Sequence, residues 1–311
     1  MTKYRLIINP TSGRGKGLES IPAIQNQMRQ LHLDFEMVQT ERPWHAAELA
    51  SQAAQEGIDV VVSVGGDGTA NEVLNGLIIA HRDYQVPPGK TAMGVLCVGR
   101  GNDFAYGMNI PAEFSAGCQV LAEGYRRKID VGFVQGGDYP QGRYFGNGVG
   151  IGFDAVVGFE ALKMKRLSGF PSYIVAALKT LFLYYRAPRV EIRINDEIQQ
   201  FSALMISIMN GRRMGGGFMM APEALQDDGL LDICIAQQAS RPRVLALIPH
   251  FLKGTQATQP EISSARTRAL SVRAIEGTLP VHADGETICT NGQELNLELH
   301  SQQVEIVCQQ R

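Results

Sequence analysis

The chain has 311 residues, enough for two ordinary domains that each bury a core. With 44% hydrophobic and 19% charged residues and a formal net charge of −2, it lacks the basic excess of a general nucleic-acid binder, so no nucleic-acid partner is expected. Five cysteines, Cys97, Cys118, Cys234, Cys289 and Cys308, are odd in number, widely spaced and without a CxxC pair; this argues against a disulfide framework or a zinc site and predicts buried free thiols.

The opening MTKYRLIINP predicts a first strand over Tyr4 to Asn9 and is too short an apolar run for a signal peptide. No stretch reaches about 18 uninterrupted apolar residues, the length of a spanning helix, so a cytoplasmic location is expected. A helix from about Gly17 to Leu31, a strand near Phe35 to Gln39 and a helix from His45 to Gly57 follow. Ile58 to Val64 then reads as a buried strand, Ala70 to Ile79 as a helix with Val73, Leu74, Leu77 and Ile78 at helical spacing, and Met93 to Val98 as another strand. Such alternation indicates βαβ units and a parallel sheet, with ligands at the carboxyl ends of its strands. The loops Asn9 to Gly17, Gly65 to Thr69 and Gly99 to Asp103 all fall there.

From Val131 onward the pattern changes to paired strands and turns. Val190, Ile192 and Ile194 alternate before Asn195-Asp196, a hairpin signal, and Phe201 to Met209 reads as the partner strand. Leu230 to Ala236, Leu279 to Ala283, Leu295 to Leu299 and Val304 to Val307 are also strand-like. Between them Phe159 to Arg186 has a helical pattern that interleaves Lys163, Lys165, Arg166, Lys179 and Arg186 with aromatics. It suits either an anionic membrane surface or a helix pair packed on the second domain's sheet. The expected division is an α/β domain over 1–130, completed by about 300–311, and a mostly antiparallel β-rich domain over 131–299.

The loop after the third strand, VGGDGT, combines Gly65, Gly66 and Gly68, free to take positive φ, with a helix N-terminus; this suits an anion. Thr69 and Glu72 have capping-box spacing, which predicts a helix start at Thr69. Asp67 in the midst of the glycines is tolerable if a cation lies between it and the phosphates, and Mg²⁺ bound to phosphates takes only one or two protein carboxylates. Asp-Gly is also plain turn chemistry. NPTSGRGKG fails as a P-loop, because Pro10 and Gly17 stand where Gly and Ser or Thr are required, and fails the Rossmann fingerprint at Leu18. Ser12 and Lys16 in a strand-to-helix loop still suit phosphate. In VGRGNDFAYG, Asn102 and Asp103 can cap the next helix or face a ligand. GGGFMMAPEALQDDGLLD gathers Asp227, Asp228 and Asp232 around a glycine turn, and PVHADGE ends a strand in Asp284-Gly285 before Glu286. His282 reads as structural.

GGDGTANEVLNG, the Asn9-Pro10…Ser12-Gly13 start, Thr40 before His45-Ala46, GNDFA, the GGG…AP…DDGLLD stretch and the late ADGE occur across almost the whole chain. This series resembles the bacterial lipid kinases of the diacylglycerol kinase catalytic-domain family, relatives of sphingosine and ceramide kinases. GGDGT alone would also fit NAD kinase and, more loosely, phosphofructokinase; GNDFA and DDGLLD favour the lipid branch. The resemblance implies an α/β nucleotide-binding domain of the NAD-kinase and phosphofructokinase kind, followed by a β-sandwich. It implies an ATP-binding loop at Gly66, Asp67, Gly68, Thr69, Asn71 and Glu72, with Asn9, Ser12, Gly13 and Thr40 contributing. The implied general base is Glu286, and the implied Mg²⁺ site is Asp228 with the backbone carbonyls of Leu225 and Leu230. Arg100 stands where many relatives have threonine, so a bidentate guanidinium replaces a single hydroxyl as the expected phosphate contact. The reading is an ATP- and Mg²⁺-dependent kinase acting on a lipid hydroxyl, peripheral at the inner membrane face, with Asp67 and Glu286 catalytic and a homodimer as one possible state. Two rivals stay open: a soluble-substrate kinase of the NAD kinase type and a nucleotide-binding regulator without turnover.

Overall fold

The computed structural model describes residues 2–99, 101–164, 170–183 and 186–310. The chain divides into two compact units, Met1–Val131 with Ser301–Arg311, and Gly132–His300. Arg100, Lys165 and Arg166, singled out from the sequence, and Tyr184 and Tyr185, two aromatics of the Phe159 to Arg186 segment, lie outside the described residues.

In the first unit, strands β1 (Lys3–Ile8), β2 (Asp34–Gln39), β3 (Val60–Gly65) and β4 (Ala92–Cys97) form a parallel sheet in the order β2-β1-β3-β4. The end of β15 (Glu294–Val307) adds a further parallel neighbour to β4 through Ile306 and Met93. VVVSVG of β3 and AMGVLC of β4 are buried at every position, the signature of strands covered on both faces. The intervening helices are α1 (Lys16–Glu19), α2 (Ile21–Gln30), α3 (His45–Gln55), α4 (Asp67–Tyr84), α5 (Asp103–Gly107) and α6 (Phe114–Glu123). Ile24 and Met28 of α2 and Cys118, Val120 and Leu121 of α6 close a core with Leu6, Ile8, Val62 and Leu96. The single helix expected over Gly17 to Leu31 is two, because Ser20 ends α1 with amide bonds back to Leu18 and Lys16, and α2 restarts over Pro22.

Helix α3 is a run of buried alanines, Ala46, Ala47, Ala50, Ala53 and Ala54, against α4. Small side chains let the two backbones approach, and Gly76 marks the closest point: a Cβ there would lie 2.2 Å from the carbonyl oxygen of Ala47.

The strand pairings described in the second unit are antiparallel. Its strands are β5 (Arg126–Gly136), β6 (Tyr139–Phe145), β7 (Gly148–Gly152), β8 (Arg189–Ile194), β9 (Glu197–Met209), β10 (Leu231–Gln237), β11 (Ile262–Thr267), β12 (Ala269–Glu276), β13 (Leu279–Ala283), β14 (Glu286–Gly292) and the first part of β15. One layer runs β14-β13-β7-β9-β10-β11, and the other β9-β8-β12-β15-β5-β6. Strand β9 belongs to both: Glu197 to Ser202 pair with β8, whereas its Ala203–Met209 end pairs with β7 and β10. Val149, Ile151, Ile206, Ile208, Ile233 and Val281 from one layer meet Val190, Ile192, Leu270, Val272 and Leu295 from the other. This is the sandwich that alternating residues on facing sheets produce. Asn195 and Asp196 both take positive φ (48° and 70°), as a two-residue type I′ hairpin requires. The expected strands at Leu295 to Leu299 and Val304 to Val307 are one strand, β15. The helical Phe159 to Arg186 pattern is two helices, α7 (Phe153–Leu162) and α8 (Phe170–Leu183); α9 (Arg241–Lys253) completes the unit.

Helix propensity alone favours alanine over glycine by about 1 kcal/mol, but a Cβ 2.2 Å from backbone oxygen at Gly76 reverses the sign. Gly76→Ala is expected to lose about 1–3 kcal/mol of stability, read as a lowered midpoint in urea unfolding.

Candidate functional site

Three loops of the first unit meet at the carboxyl ends of β1, β3 and β4, where the register sets Ile8 beside Val64 and Gly65 beside Cys97. Their backbones touch. A Cβ on Gly99 would lie 2.3 Å from the Cα of Gly66, and one on Gly13 would lie 2.2 Å from the carbonyl oxygen of Val98. Gly13, at φ 60°, sits with Ser12 in a short 3₁₀ turn. Asn9 organises the first loop: its carboxamide oxygen accepts from the Thr11 amide (3.1 Å) and hydroxyl (2.9 Å), and its Nδ2 donates to Thr69 Oγ1 (3.1 Å). Thr40, at the end of β2, donates its amide to Ile8 O (2.9 Å). Asn9, Ser12, Gly13, Gly66, Asp67, Gly68 and Thr69 are thus gathered at one end of the sheet.

The expected positive φ does not occur at Gly65, Gly66 or Gly68. At Gly65 and Gly66 the missing Cβ provides clearance instead: on Gly65 it would strike Thr69 Oγ1 at 2.4 Å, and on Gly66 it would press on Gly99 Cα at 3.2 Å. The capping box is also absent. Helix α4 starts two residues earlier than expected, at Asp67, with Gly66 as its N-cap and no side-chain cap bond. Thr69 and Glu72 are therefore already inside the helix and serve other elements. Glu72 accepts the Ala46 amide at the start of α3 (3.0 Å), and Asp67 Oδ1 accepts the Phe104 amide at the start of α5 (3.0 Å). Two carboxylates on the first turns of α4 fasten the N-termini of two neighbouring helices, each at its second residue. Of the two residues read as either a cap or ligand-facing, Asn102 is the N-cap of α5, at φ 53° and without a side-chain cap bond, and the Phe104 amide goes to Asp67 instead. Asn71 is buried, its carbonyl and side-chain oxygens accepting from Asn75 Nδ2 (2.8 and 3.2 Å).

In the second unit Asp284-Gly285 forms the β13–β14 hairpin with φ of 48° and 84°, and Glu286 opens β14 exposed to solvent. The sequence showed Asp284 only as a turn residue. The structure buries it: Oδ2 accepts the Gly146 amide (2.7 Å) and Oδ1 those of Asn147 (3.0 Å) and Gly148 (2.8 Å). Asn210 closes the same loop, its Nδ2 donating to Gly146 O (2.8 Å). Asp228 and Asp232 lie near Arg266, whose Nε donates to Asp232 (2.8 Å) and whose Nη1 is 3.9 Å from Asp228. Asp228 Oδ1 accepts the Leu230 amide (3.0 Å), which ties these two members of the expected site together across a turn. Among the described residues no cluster of three or more His, Cys, Asp or Glu side chains is placed to hold a metal. The expected site needs fewer, since it uses one carboxylate and two backbone carbonyls.

Helices α7 and α8 are joined by a buried carboxylate. Glu160, 4% exposed, receives Lys163 Nζ (2.6 Å) and Lys179 Nζ (2.5 Å), which hold it below the usual glutamate range, Lys163 foremost. On α8, Val175, Leu178 and Phe182 form an exposed stripe at helical spacing beside exposed Leu183. No helix among the described residues is long and apolar enough to cross a membrane, and all five cysteines are buried thiols.

Comparisons with known proteins agree with this architecture. Residues 3–134 match the diacylglycerol kinase catalytic domain, and residues 147–308 match the YegS C-terminal NAD kinase beta sandwich-like domain. Among curated relatives, a diacylglycerol kinase of Mycobacterium tuberculosis is 29% identical over 289 residues, spanning 92% of this chain and 89% of the relative. One of Staphylococcus saprophyticus is 26% identical over 285 residues, spanning 91% and 88%. The crystal structure of a diacylglycerol kinase from Bacillus anthracis shares the fold, with a TM-score of 0.73 at 18% identity over 99% of this chain and 97% of that one. These findings define a phosphotransferase with an alcohol group as acceptor. The chain belongs to the diacylglycerol kinase catalytic-domain family, with an α/β domain followed by an antiparallel β-sandwich.

Asp284→Asn keeps the shape but offers an amide where three backbone donors need acceptors. It is expected to cost about 1–3 kcal/mol in chemical denaturation, most of it recovered in no other polar substitution at that site.

Proposed function

We propose that the chain is an ATP- and Mg²⁺-dependent kinase that phosphorylates a hydroxyl of a diacylglycerol-like lipid at a membrane surface. The observation that carries this reading is the convergence of Asn9 to Gly13, Gly65 to Thr69 and Gly99 onward at one end of a parallel sheet, with Gly66 and Gly99 in backbone contact. Such loops expose amides at a helix N-terminus, where phosphate oxygens are favoured. Ser12, Gly66, Gly68 and Thr69 would cradle the phosphates, with Asn9, Gly13, Thr40, Asn71 and Glu72 shaping the loops that do so. Arg100 would add a bidentate contact.

Magnesium would neutralise phosphate charge as the nucleotide binds, with Asp67 as its carboxylate neighbour, while a second ion would sit on Asp228 and the carbonyls of Leu225 and Leu230. Glu286 would accept the proton of the lipid hydroxyl as it attacks the γ-phosphate. Its exposure on a hairpin fixed by Asp284 supports that role, because phosphoryl transfer is mostly positioning and charge neutralisation. The relatives' names supply the lipid class, and the apolar stripe on α8 supplies a means to approach it. The stripe would dock with the exposed, Glu160-paired Lys163 and Lys179 beside it, the combination of apolar and basic groups that suits an anionic membrane surface.

Transfer of label from γ-³²P-ATP with Mg²⁺ into diacylglycerol in mixed micelles, beside soluble acceptors including NAD, tests the reaction. Labelled lipid supports the proposal; label in NAD alone overturns it. Glu286→Gln is expected to lose about 10²- to 10⁴-fold in kcat with nucleotide affinity intact, and a near wild-type rate would remove Glu286 from the mechanism. Leu178→Asp with Phe182→Asp is expected to weaken sedimentation with lipid vesicles while leaving the unfolding midpoint unchanged.

A further inference from the structure

Glu286 opens β14, the end strand of the layer β14-β13-β7-β9-β10-β11, and the β13–β14 pairing shifts register twice within a few residues. A short edge hairpin with irregular pairing frays unless something holds its tip. Asp284 supplies one hold, accepting the Gly146, Asn147 and Gly148 amides while its own amide donates to Gly148 O (3.0 Å). This hold is only as firm as the β6–β7 loop to which it is made.

Asn147 of that loop also bonds in the opposite direction. Its carbonyl oxygen accepts the amides of Asn210 (2.9 Å) and Gly211 (2.7 Å), just past the end of β9, and its Nδ2 donates to Arg213 O (3.0 Å). Asn147 is 3% exposed, and its Oδ1 has no hydrogen-bond partner. Gly211 packs on that oxygen: a Cβ there would lie 2.0 Å from Asn147 Oδ1, and its three nearest atoms all belong to Asn147. Beyond Arg213 the chain is anchored to α8. Met214 bridges to Phe218, a Cβ on Gly217 would lie 2.6 Å from the Phe170 ring, and the Phe170 and Phe218 rings have centroids 5.6 Å apart. The carbonyl that receives Asn147 Nδ2 therefore belongs to a loop held by β9 at one end and by α8 at the other.

We propose that Asn147 is a positioning residue for Glu286: it fastens the Asp284 hairpin to the Asn210–Phe218 loop, and through that loop to α8, so that the base keeps a set place relative to the helix that meets the lipid. The proposal rests on the reading of Glu286 as the base and of α8 as the lipid-side helix. Asn147 is buried and acts only through its neighbours. A base must stand within hydrogen-bond reach of the hydroxyl it deprotonates, and a misplacement of about 1 Å costs about 100-fold in rate. Such a displacement leaves the contacts that bind nucleotide and lipid in place, so it falls on kcat rather than KM.

Two substitutions disturb the tether from opposite sides. Asn147→Ala removes the donor to Arg213 O, and Gly211→Ala drives a Cβ into Asn147 Oδ1. Each is expected to lower kcat about 10- to 100-fold while KM for ATP and for lipid changes by less than about 2-fold. Wild-type kcat in both, or a loss confined to KM, overturns the proposal. Gly211→Ala should add little to Asn147→Ala, because the oxygen its Cβ strikes is gone; losses that multiply overturn the contact. In Glu286→Gln protein neither substitution should lower the residual rate by more than about 2-fold, since a residue acting through Glu286 has nothing left to position. A full further loss there shows a general structural effect and overturns the role.

Hydrogen exchange at the Gly148 and Asp284 amides reads the tether without the chemistry, and it can be followed in Glu286→Gln protein. Asn147→Ala should speed it about 10-fold, the effect of losing one buried bond, and unchanged exchange overturns the tether. Faster exchange beside a near wild-type rate for Glu286→Gln means that the base assignment fails, and the positioning role with it, while the tether stands. Unchanged exchange beside an inactive Glu286→Gln means that the base assignment stands and the tether fails.

Discussion

The backbone contact between Gly66 and Gly99 is the constraint on which the first unit's site depends. Two strand-to-helix loops meet here at a distance that excludes a Cβ on Gly99, 2.3 Å from the Gly66 Cα, and leaves one on Gly66 in tight contact at 3.2 Å. With the loops together, Asp67 reaches the first turn of α5 and Glu72 the first turn of α3. Orphan amides at a helix start need acceptors, and charged acceptors near the positive end of the helix dipole are the stronger ones. The negative charge among the glycines therefore has a structural task whatever it does for a metal. It welds α4 to the loop after β4, so the phosphate-suited amides are held by carboxylates drawn from the same helix.

The second unit uses the same device with the donors reversed in origin. Asp284 gathers the amides of three consecutive residues, Gly146, Asn147 and Gly148, and so fixes a hairpin whose next residue, Glu286, faces solvent. A buried carboxylate saturated with amide bonds is rigid, and the exposed one beside it inherits that rigidity. The division of labour between neighbouring acids, one anchoring and one available, is what supports assigning chemistry to Glu286 rather than to Asp284.

Helices α7 and α8 show how a basic-aromatic segment can also serve the fold. Two of its described lysines converge on Glu160, which is buried and would be costly without them. They clamp one helix to the other, and alanine-rich contacts at Val157, Ala161, Ala176 and Ala177 fill the interface. Both lysines stay exposed while they pair with Glu160, so the outward surface of these helices carries cations beside the apolar Val175, Leu178 and Phe182.

Much of this was legible in the sequence. The alternation up to Val98 predicted the parallel sheet, since buried β-branched runs separated by helical patterns have one common solution, and Asn195-Asp196 predicted its hairpin because both residues tolerate positive φ. The ordered motifs gave the family. Local reasoning failed where a side chain had a choice of distant partners. Thr69 and Glu72 have capping-box spacing, yet the helix begins at Asp67, and Glu72 bonds to Ala46, 26 positions away. Asp284 read as a turn residue because nothing in Asp-Gly-Glu shows that three amides some 137 positions earlier point at it. His282 read as structural, and only the cross-strand register sets it beside Gly150 and opposite Asp154. Composition and periodicity determine which elements form and which faces they bury, because those depend on near neighbours. Which buried acid meets which amide depends on strand order and register, and these are decided only when the whole sheet closes.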